Sequence, residues 1–145
     1  MFQYFGYGSN MDMTSLRAKG VDPHDSVRGV LPGWELRFNV THFFTHEGGV
    51  GNIVETAHTD HAVHGVVHQC DDEALALLDA AEAYGSGYDR VEVEIQTERG
   101  PIVALAYVGI DGFIDDACRP TRRYLNILVS GAVNAGIDAD YVDWL

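Results

Sequence analysis

The sequence predicts a mixed α+β domain in which a small curled β-sheet is flanked by helices. Most segments in the middle of the chain have the apolar pattern of strands, and helical patterns are interleaved with them and follow them at the end. The 145 residues are 46% hydrophobic, which suits one domain with its own core. No repeat, linker or low-complexity segment interrupts the chain, so we assign residues 1–145 to a single domain.

Seven segments have the composition and periodicity of β-strands. An alternation of apolar and charged side chains through Val91, Val93 and Ile95 indicates a half-exposed strand. Pro32-Gly33 marks a turn between the second and third segments. The predicted strands are residues 2–7, 27–31, 34–40, 51–56, 62–69, 90–97 and 102–108.

Four stretches are predicted to be helical. Residues 14–19 form a short helix, residues 121–135 a longer one, and residues 140–145 a final helical turn. Between the strands, the acidic residues 71–73 favour a helix start because negative charge is stabilised at a helix N-terminus. That helix is expected to continue towards Glu82.

The charge and composition exclude several classes of partner. The formal net charge is −13, whereas nucleic acids and anionic membranes are bound through clustered Lys and Arg. No apolar stretch is long enough to cross a bilayer and the first residues lack the basic then apolar order of a secretory signal, so we expect a cytoplasmic protein. Cys70 and Cys118 lack a Cys-x-x-Cys spacing, which argues against a disulfide framework or a zinc site.

A glycine-rich loop follows the first predicted strand. In Gly6-Tyr7-Gly8-Ser9-Asn10 the glycines allow close approach by a ligand, and successive exposed N–H groups form a concavity suited to oxyanions. A helix beginning after Asn10 would add its dipole to that attraction. The alternative is an ordinary strand-to-helix turn in which Ser9 or Asn10 is the N-cap.

Glu82 lies at the end of a helical stretch whose inward positions are otherwise apolar. Leu75, Leu78 and Glu82 fall at i, i+3 and i+7, which places this carboxyl on or beside the core-facing stripe. Partial burial would raise the pKa of the carboxyl towards neutrality, where it can both accept and donate a proton. The alternative is a solvated glutamate near a helix C-terminus, a position the helix dipole mildly disfavours for an anion.

Taken together, several segments resemble the γ-glutamylcyclotransferase family. The N-terminal signature is Tyr4-Phe5-Gly6-Tyr7-Gly8-Ser9-Asn10, and the later segments follow in the order of that family. They are residues 48–53, similar to its Gly-Gly strand, residues 64–67, residues 77–82, similar to the helix with its catalytic glutamate, and residues 88–93, 124–132 and 136–145. The resemblance spans essentially the whole chain and implies a small β-barrel flanked by helices.

The resemblance implies an enzyme that cyclises a γ-glutamyl amide, from a γ-glutamyl amino acid or a γ-glutamylamine, to 5-oxoproline. Glu82 would remove a proton from the α-ammonium of the substrate, and the freed amine would attack the γ-carbonyl carbon. Glu82 would then return the proton to the leaving nitrogen. Because the nucleophile belongs to the substrate, the protein needs none of its own, and we expect no cofactor.

The substrate-binding residues implied by the resemblance lie in the loop and at two later tyrosines. Backbone N–H groups between Tyr7 and Asn10 are candidates for holding either the substrate carboxylate or the developing oxyanion. Tyr88 and Tyr124 could donate hydrogen bonds to substrate oxygens, although tyrosines are also ordinary packing residues. The whole set is Tyr4, Phe5, Gly6, Tyr7, Gly8, Ser9, Asn10, Tyr88 and Tyr124. A homodimer is compatible with the resemblance.

A row of histidines resembles a metal site by its spacing alone. His58, His61, His64 and His68 would share one face of a helix. The segment 62–68 is rich in valine and interrupted by glycine, however, so it is predicted to be a strand, and we expect no metal.

Three other functions are alternatives to the cyclase. A cyclase for a γ-glutamyl-capped biosynthetic intermediate would use the same residues. A non-catalytic module would capture small carboxylates through the loop while Glu82 merely packs. An acyltransferase or amidase with Ser9 as nucleophile is disfavoured because the loop is not the Gly-x-Ser-x-Gly elbow.

Overall fold

Seven strands build the described part of the fold: β1 (Phe2–Gly6), β2 (Asp25–Pro32), β3 (Trp34–Val40), β4 (Val50–Glu55), β5 (Ala62–Cys70), β6 (Tyr88–Thr97) and β7 (Gly100–Gly109). The structure, a computed structural model, describes residues 1–41, 50–57, 60–82, 84–85 and 87–145. Five strands close into a barrel in the order β1, β5, β2, β6, β7. The barrel neighbours are antiparallel, except that β7 closes on β1 by a parallel pairing of Leu105 with Tyr4.

The other two strands, β3 and β4, form a separate antiparallel ladder beside the barrel. The ladder is irregular between Phe38 and Val40 and contacts both β5 and β7. Its strand β4 brings Gly51 next to the loop that follows β1.

Among the described residues, four α-helices flank the barrel: α1 (Met13–Ala18), α2 (Ala74–Ala81), α3 (Arg122–Asn134) and α4 (Ala139–Trp144). Side-chain caps fix three of their starts, because the side chains of Asp12, Thr121 and Asp138 each accept a hydrogen bond from a backbone N–H in the first turn. Helix α3 packs on a short 3₁₀ turn, Ser9–Met11. That contact holds the loop after β1 between the barrel and α3.

Where the structure describes the chain, its buried side chains form three apolar clusters. One fills the barrel and includes Phe5, Val63 and Ile95, all fully buried. A second joins the barrel to α1 and α2 through Leu16 and Leu78. The third lies beneath α3. The second cluster also contains several tyrosines, which form part of the site described below.

The predicted fold class, a small curled sheet or barrel flanked by helices, is confirmed. The predicted strands and helices are all present with shifts of one to a few residues at their ends. Residue 82 is the C-cap of α2 rather than part of it. Gly48 and Gly49 of the segment similar to the Gly-Gly strand, and His58 of the histidine row, lie outside the described residues.

The histidines of β5 have structural partners. The ring of His64 stacks on Tyr141 with 4.4 Å between ring centroids, and His68 is fully buried beneath the loop after β1. In the described ranges, no group of three or more His, Cys, Asp or Glu side chains is arranged to hold a metal ion. Of the described helices, none combines the length and the apolar character that crossing a bilayer requires.

Candidate active site

A cavity of about 490 Å³ opens between the loop after β1, the C-terminal end of α2 and the first turns of α3. Its described walls bring together residues from distant parts of the sequence. They are Tyr4, Tyr7, Gly8, Ser9, Asn10, Ser15, Ala18, Lys19, Val50, Gly51, Ala81, Glu82, Tyr88, Tyr107, Arg123, Tyr124 and Ile127. Glu82 is the one acidic side chain among these described residues.

The loop after β1 turns sharply because Gly6 has no side chain. A Cβ at Gly6 would lie 2.6 Å from the carbonyl oxygen of Asn10, so the loop could not fold back in this way with another residue. The 3₁₀ turn that follows is closed by a hydrogen bond from Met11 N to Gly8 O of 3.1 Å. Within the described part of the chain, the N–H groups of Ser9 and Asn10 have no backbone acceptor, as expected at the start of a helical turn.

The Glu82 carboxyl lies inside the cavity and is held by Asn10. The side-chain amide Nδ2 of Asn10 donates a hydrogen bond of 3.2 Å to Oε1 of Glu82. Burial raises the pKa of Glu82 above its ordinary value, and the nearby Lys19 ammonium partly opposes that rise. The arrangement therefore provides a positioned carboxyl that is easier to protonate than one in water, as a group that accepts and returns a proton requires.

Asn10 is fixed from several directions. Its Nδ2 also donates to the hydroxyl of Tyr4 at 2.8 Å, and its Oδ1 accepts a hydrogen bond from Nζ of Lys19. On the main-chain side, Nε2 of His68 donates to the carbonyl oxygen of Asn10 at 2.8 Å, while Nδ1 of His68 contacts Oγ of Ser26 at 2.7 Å. Burial lowers the pKa of His68, so its neutral form is favoured. The orientation of the Asn10 amide is thus set by its partners.

Four buried tyrosines form the wall around the carboxyl. Tyr7 donates a hydrogen bond of 2.5 Å to the carbonyl oxygen of Tyr107, whose own hydroxyl donates to Asp79 at 2.6 Å. The Tyr88 hydroxyl donates to the carbonyl oxygen of Gly51. Burial is the main cause that raises the pKa of each of these phenols, and of Tyr4, above its ordinary value. The wall is therefore neutral and hydrogen-bonded.

Two tyrosine hydroxyls bind the backbone of Gly51, one at its N–H group and one at its carbonyl oxygen. The N–H of Gly51 donates a hydrogen bond of 2.9 Å to the hydroxyl oxygen of Tyr124, while the Gly51 carbonyl accepts from Tyr88. A Cβ at Gly51 would approach the Tyr124 hydroxyl to 3.2 Å and Tyr7 Cε2 to 3.6 Å. A glycine here lets both phenols reach the backbone of β4 and line the cavity.

A match to a family model agrees with this arrangement. The model of the AIG2-like family matches residues 62–145, which is more than half of the chain and includes Glu82, Tyr88 and Tyr124. The chain belongs to the AIG2-like family. The loop at Gly6 to Asn10 lies outside the matched range. Its place beside the matched residues, such as Glu82, is seen from the cavity that they line together.

Solved structures share the fold of this AIG2-like chain. A protein named γ-glutamyl cyclotransferase has a TM-score of 0.84 and 24% identity, covering 98% of this chain and 84% of that one. YkqA from Bacillus subtilis has a TM-score of 0.85 and 22% identity, covering 98% of this chain and 51% of that one. The yeast γ-glutamyl cyclotransferase specific to glutathione has a TM-score of 0.71 and 14% identity, covering 98% and 92%. These likenesses establish the fold. A search of curated proteins gave no significant match.

Most of the site residues predicted from the sequence line the cavity of this AIG2-like domain. Those that do are Tyr4, Tyr7, Gly8, Ser9, Asn10, Glu82, Tyr88 and Tyr124. Phe5 is instead fully buried in the barrel core, and Gly6 shapes the loop without lining the cavity. Alternation along β1 accounts for Phe5, because neighbouring residues of a strand point to opposite faces.

Sequence reasoning missed several lining residues. Lys19, Gly51, Tyr107 and Arg123 were not predicted to be part of the site. Gly51 lies within the segment that resembled the family's Gly-Gly strand, which was a usable signal. For Lys19 the signal was its rarity, since it is the chain's one lysine.

Proposed function

We propose that the protein is a γ-glutamylcyclotransferase-like enzyme that converts a γ-glutamyl amide to 5-oxoproline and releases the amine, with Glu82 as general base and then general acid. The observation that carries the proposal is the Glu82 carboxyl, held by Asn10 inside the cavity beside the loop that follows β1. The family and the fold support the same activity.

In the proposed reaction the substrate supplies the nucleophile and Glu82 relays the protons that leave it. Glu82 accepts a proton from the α-ammonium, and the freed nitrogen attacks the γ-carbonyl carbon to close a five-membered ring. Glu82 returns the proton to the leaving nitrogen, the bond from the γ-carbon to that nitrogen breaks, and the amine leaves. The ring nitrogen, which still carries an extra proton after the attack, loses it to the regenerated Glu82 carboxylate. Glu82 passes this second proton to solvent, and 5-oxoproline leaves. The negative charge on the γ-oxygen in the transition state needs donors, and the N–H groups of Ser9 and Asn10 lie on the same cavity wall.

The cavity also favours the cyclic transition state by shape. A flexible γ-glutamyl chain must fold so that its amine approaches its own γ-carbonyl, and a rigid wall that fits the folded form lowers the entropic part of the barrier. The hydrogen-bonded tyrosines around Glu82 supply such a wall.

The test is to incubate the protein with γ-glutamyl amino acids and γ-glutamylamines and to measure 5-oxoproline by chromatography. Glu82→Gln should lower the rate by about 10²–10⁴-fold, the usual contribution of a general acid–base group. Glu73→Gln is the matched control, since it makes the same change at an exposed residue at the start of the same helix and should leave the rate unchanged. A Glu82→Gln variant that is folded and as active as wild type would refute the proposed role. Binding of the substrates without any 5-oxoproline would favour the non-catalytic module instead.

A further inference from the structure

Lys19 is a cation in the cavity wall that makes no salt bridge within the described part of the chain. It is the C-cap of α1, and its Nζ donates a hydrogen bond to the neutral amide oxygen Oδ1 of Asn10. The salt bridges among the described residues involve other cations. Burial lowers the pKa of Lys19 and the Glu82 carboxyl opposes that change.

A partly buried ammonium is unfavourable unless an anion or several acceptors compensate for the lost water. One amide oxygen uses only part of the donor capacity of Lys19. The rest of the ammonium lies on the wall of a cavity in a protein whose net charge is −13. Most of the acidic side chains are therefore elsewhere, and the cavity offers a positive group that suits a carboxylate ligand.

The position of Lys19 relative to Glu82 indicates which kind of carboxylate ligand Lys19 would bind. Both groups contact the same carboxamide, Lys19 at Oδ1 and Glu82 at Nδ2 of Asn10. A cation and an anion are thus held one amide apart. An α-amino acid carries an ammonium and a carboxylate on a single carbon, so its head group presents the complementary pair of charges.

We propose that Lys19 binds the α-carboxylate of the γ-glutamyl unit while Glu82 receives its α-ammonium. This inference rests on the proposed function and goes beyond it, because it assigns the carboxylate to a side chain. The loop N–H groups of Ser9 and Asn10 are then left for the γ-carbonyl oxygen, where negative charge develops.

Three substrates separate the possible roles of Lys19. γ-Glutamyl-alanine carries both carboxylates, 4-aminobutanoyl-alanine lacks the α-carboxylate, and γ-glutamyl-ethylamine lacks only the carboxylate of the leaving group. Each is assayed by release of alanine or ethylamine, on the pH plateau of each variant, so that a change in the pKa of Glu82 does not enter the comparison.

Lys19→Gln should lower kcat/KM for both γ-glutamyl substrates by about 10- to 100-fold, the range expected for a charge-assisted hydrogen bond. The same variant should change kcat/KM for 4-aminobutanoyl-alanine by less than about threefold, because that compound has no α-carboxylate for Lys19 to bind. Lys19→Arg should restore much of the preference for the α-carboxylate. Arg17→Gln is the matched control, since it removes a cation from an exposed position of the same helix and should behave as wild type.

Two patterns would overturn the proposal. An equal loss on all three substrates would mean that Lys19 acts only through Asn10 and Glu82. A loss on both γ-glutamyl-alanine and 4-aminobutanoyl-alanine, with γ-glutamyl-ethylamine unaffected, would mean that Lys19 binds the carboxylate of the leaving group.

A binding measurement keeps this inference separate from the proposed activity. If wild type cyclises none of the compounds, the proposed function fails, and calorimetry on Glu82→Gln, with and without Lys19→Gln, still tests the carboxylate site. Tighter binding of γ-glutamyl-alanine than of 4-aminobutanoyl-alanine that disappears with Lys19→Gln supports it. Equal or undetectable binding of the two compounds to Glu82→Gln overturns it.

Discussion

Replacing Asn10 by alanine tests whether the cavity depends on the amide that holds Glu82. Asn10 is 3% exposed, and its Nδ2 contacts both Oε1 of Glu82 at 3.2 Å and the hydroxyl of Tyr4 at 2.8 Å. A hydrogen bond to an ionised group contributes about 1.5–3 kcal/mol. Loss of the bond to Glu82 removes that much preference for the carboxylate over the carboxylic acid, so the pKa of Glu82 should rise by about one to two units.

The sign of the effect on activity follows from the role of Glu82 as a base. Glu82 must be ionised to accept the substrate's proton, so kcat/KM falls as the pH drops through its pKa. In Asn10→Ala this fall of kcat/KM at low pH, the acid limb of the pH profile, should lie about one to two pH units higher than in wild type. The measurement is 5-oxoproline release from mildly acidic to alkaline pH.

The same substitution should lower stability by a separate route. The Tyr4 hydroxyl is buried and would lose its partner, at a cost of about 1–3 kcal/mol, whereas Glu82 and Lys19 face the cavity and can be rehydrated. Urea unfolding measures this loss, and Asn126→Ala, at an exposed site on α3, is the control. An Asn10→Ala variant that is folded and keeps the wild-type acid limb would refute the reasoning.

Three further substitutions have expected outcomes. Glu82→Gln should be more stable than wild type at neutral pH, because burial raises the folded-state pKa of Glu82 and wild type therefore loses stability as the pH rises above 4.5. Urea unfolding at several pH values should show that the stability difference between the two proteins shrinks as the pH falls towards 4.5. Gly65→Ala should lower the free energy of unfolding by about 1–3 kcal/mol, since its Cβ would lie 2.5 Å from a backbone carbonyl oxygen. Tyr124→Phe removes the acceptor at 2.9 Å from the Gly51 N–H, and should lower stability by about 1 kcal/mol and kcat/KM for 5-oxoproline release by less than about tenfold.

Each of these three predictions can be contradicted by a specific result. A stability difference between Glu82→Gln and wild type that does not change with pH would show that titration of this carboxyl is not its cause. Gly112→Ala, where a Cβ meets nothing within 4 Å, is the control for Gly65→Ala, and equal stability of the two would contradict the packing argument. A Tyr124→Phe variant as inactive as Glu82→Gln would place the phenol in the chemistry itself.

The elements of the fold could be predicted where the evidence is local. Alternation through Val91, Val93 and Ile95 predicted a strand, and the structure has one at Tyr88–Thr97. Closure of the barrel has no local signal, because it depends on a pairing of Leu105 with Tyr4 about a hundred residues apart in the chain. The resemblance to a family implied the barrel, and periodicity alone did not.

The candidate site also has parts that could be predicted from local sequence and parts that could not. The three- and four-residue spacing along α2 indicated that Glu82 would lie at the core-facing side, and it lines the cavity. The motif around the loop was assigned as one unit, although the alternation along β1 sends Tyr4 to the cavity and Phe5 to the barrel core. Lys19 could not be placed from sequence, because its position depends on how the end of α1 packs against Asn10.

The tyrosine wall explains why one carboxyl suffices for the proposed chemistry. Tyr7, Tyr88 and Tyr107 donate their hydroxyl protons to protein acceptors, and burial keeps them neutral by raising the pKa of each phenol. Using one of these phenols as an acid would break a buried hydrogen bond and leave its acceptor unpaired, which is unfavourable by about 1–3 kcal/mol. Glu82 can change its protonation state with less disturbance, because its carboxyl faces the cavity and its pKa is shifted towards neutrality. Intramolecular cyclisation moves protons one at a time from the nucleophile to the leaving nitrogen or to solvent, and one carboxyl can relay each in turn, so a rigid neutral wall around one titrating carboxyl matches the requirement of that reaction.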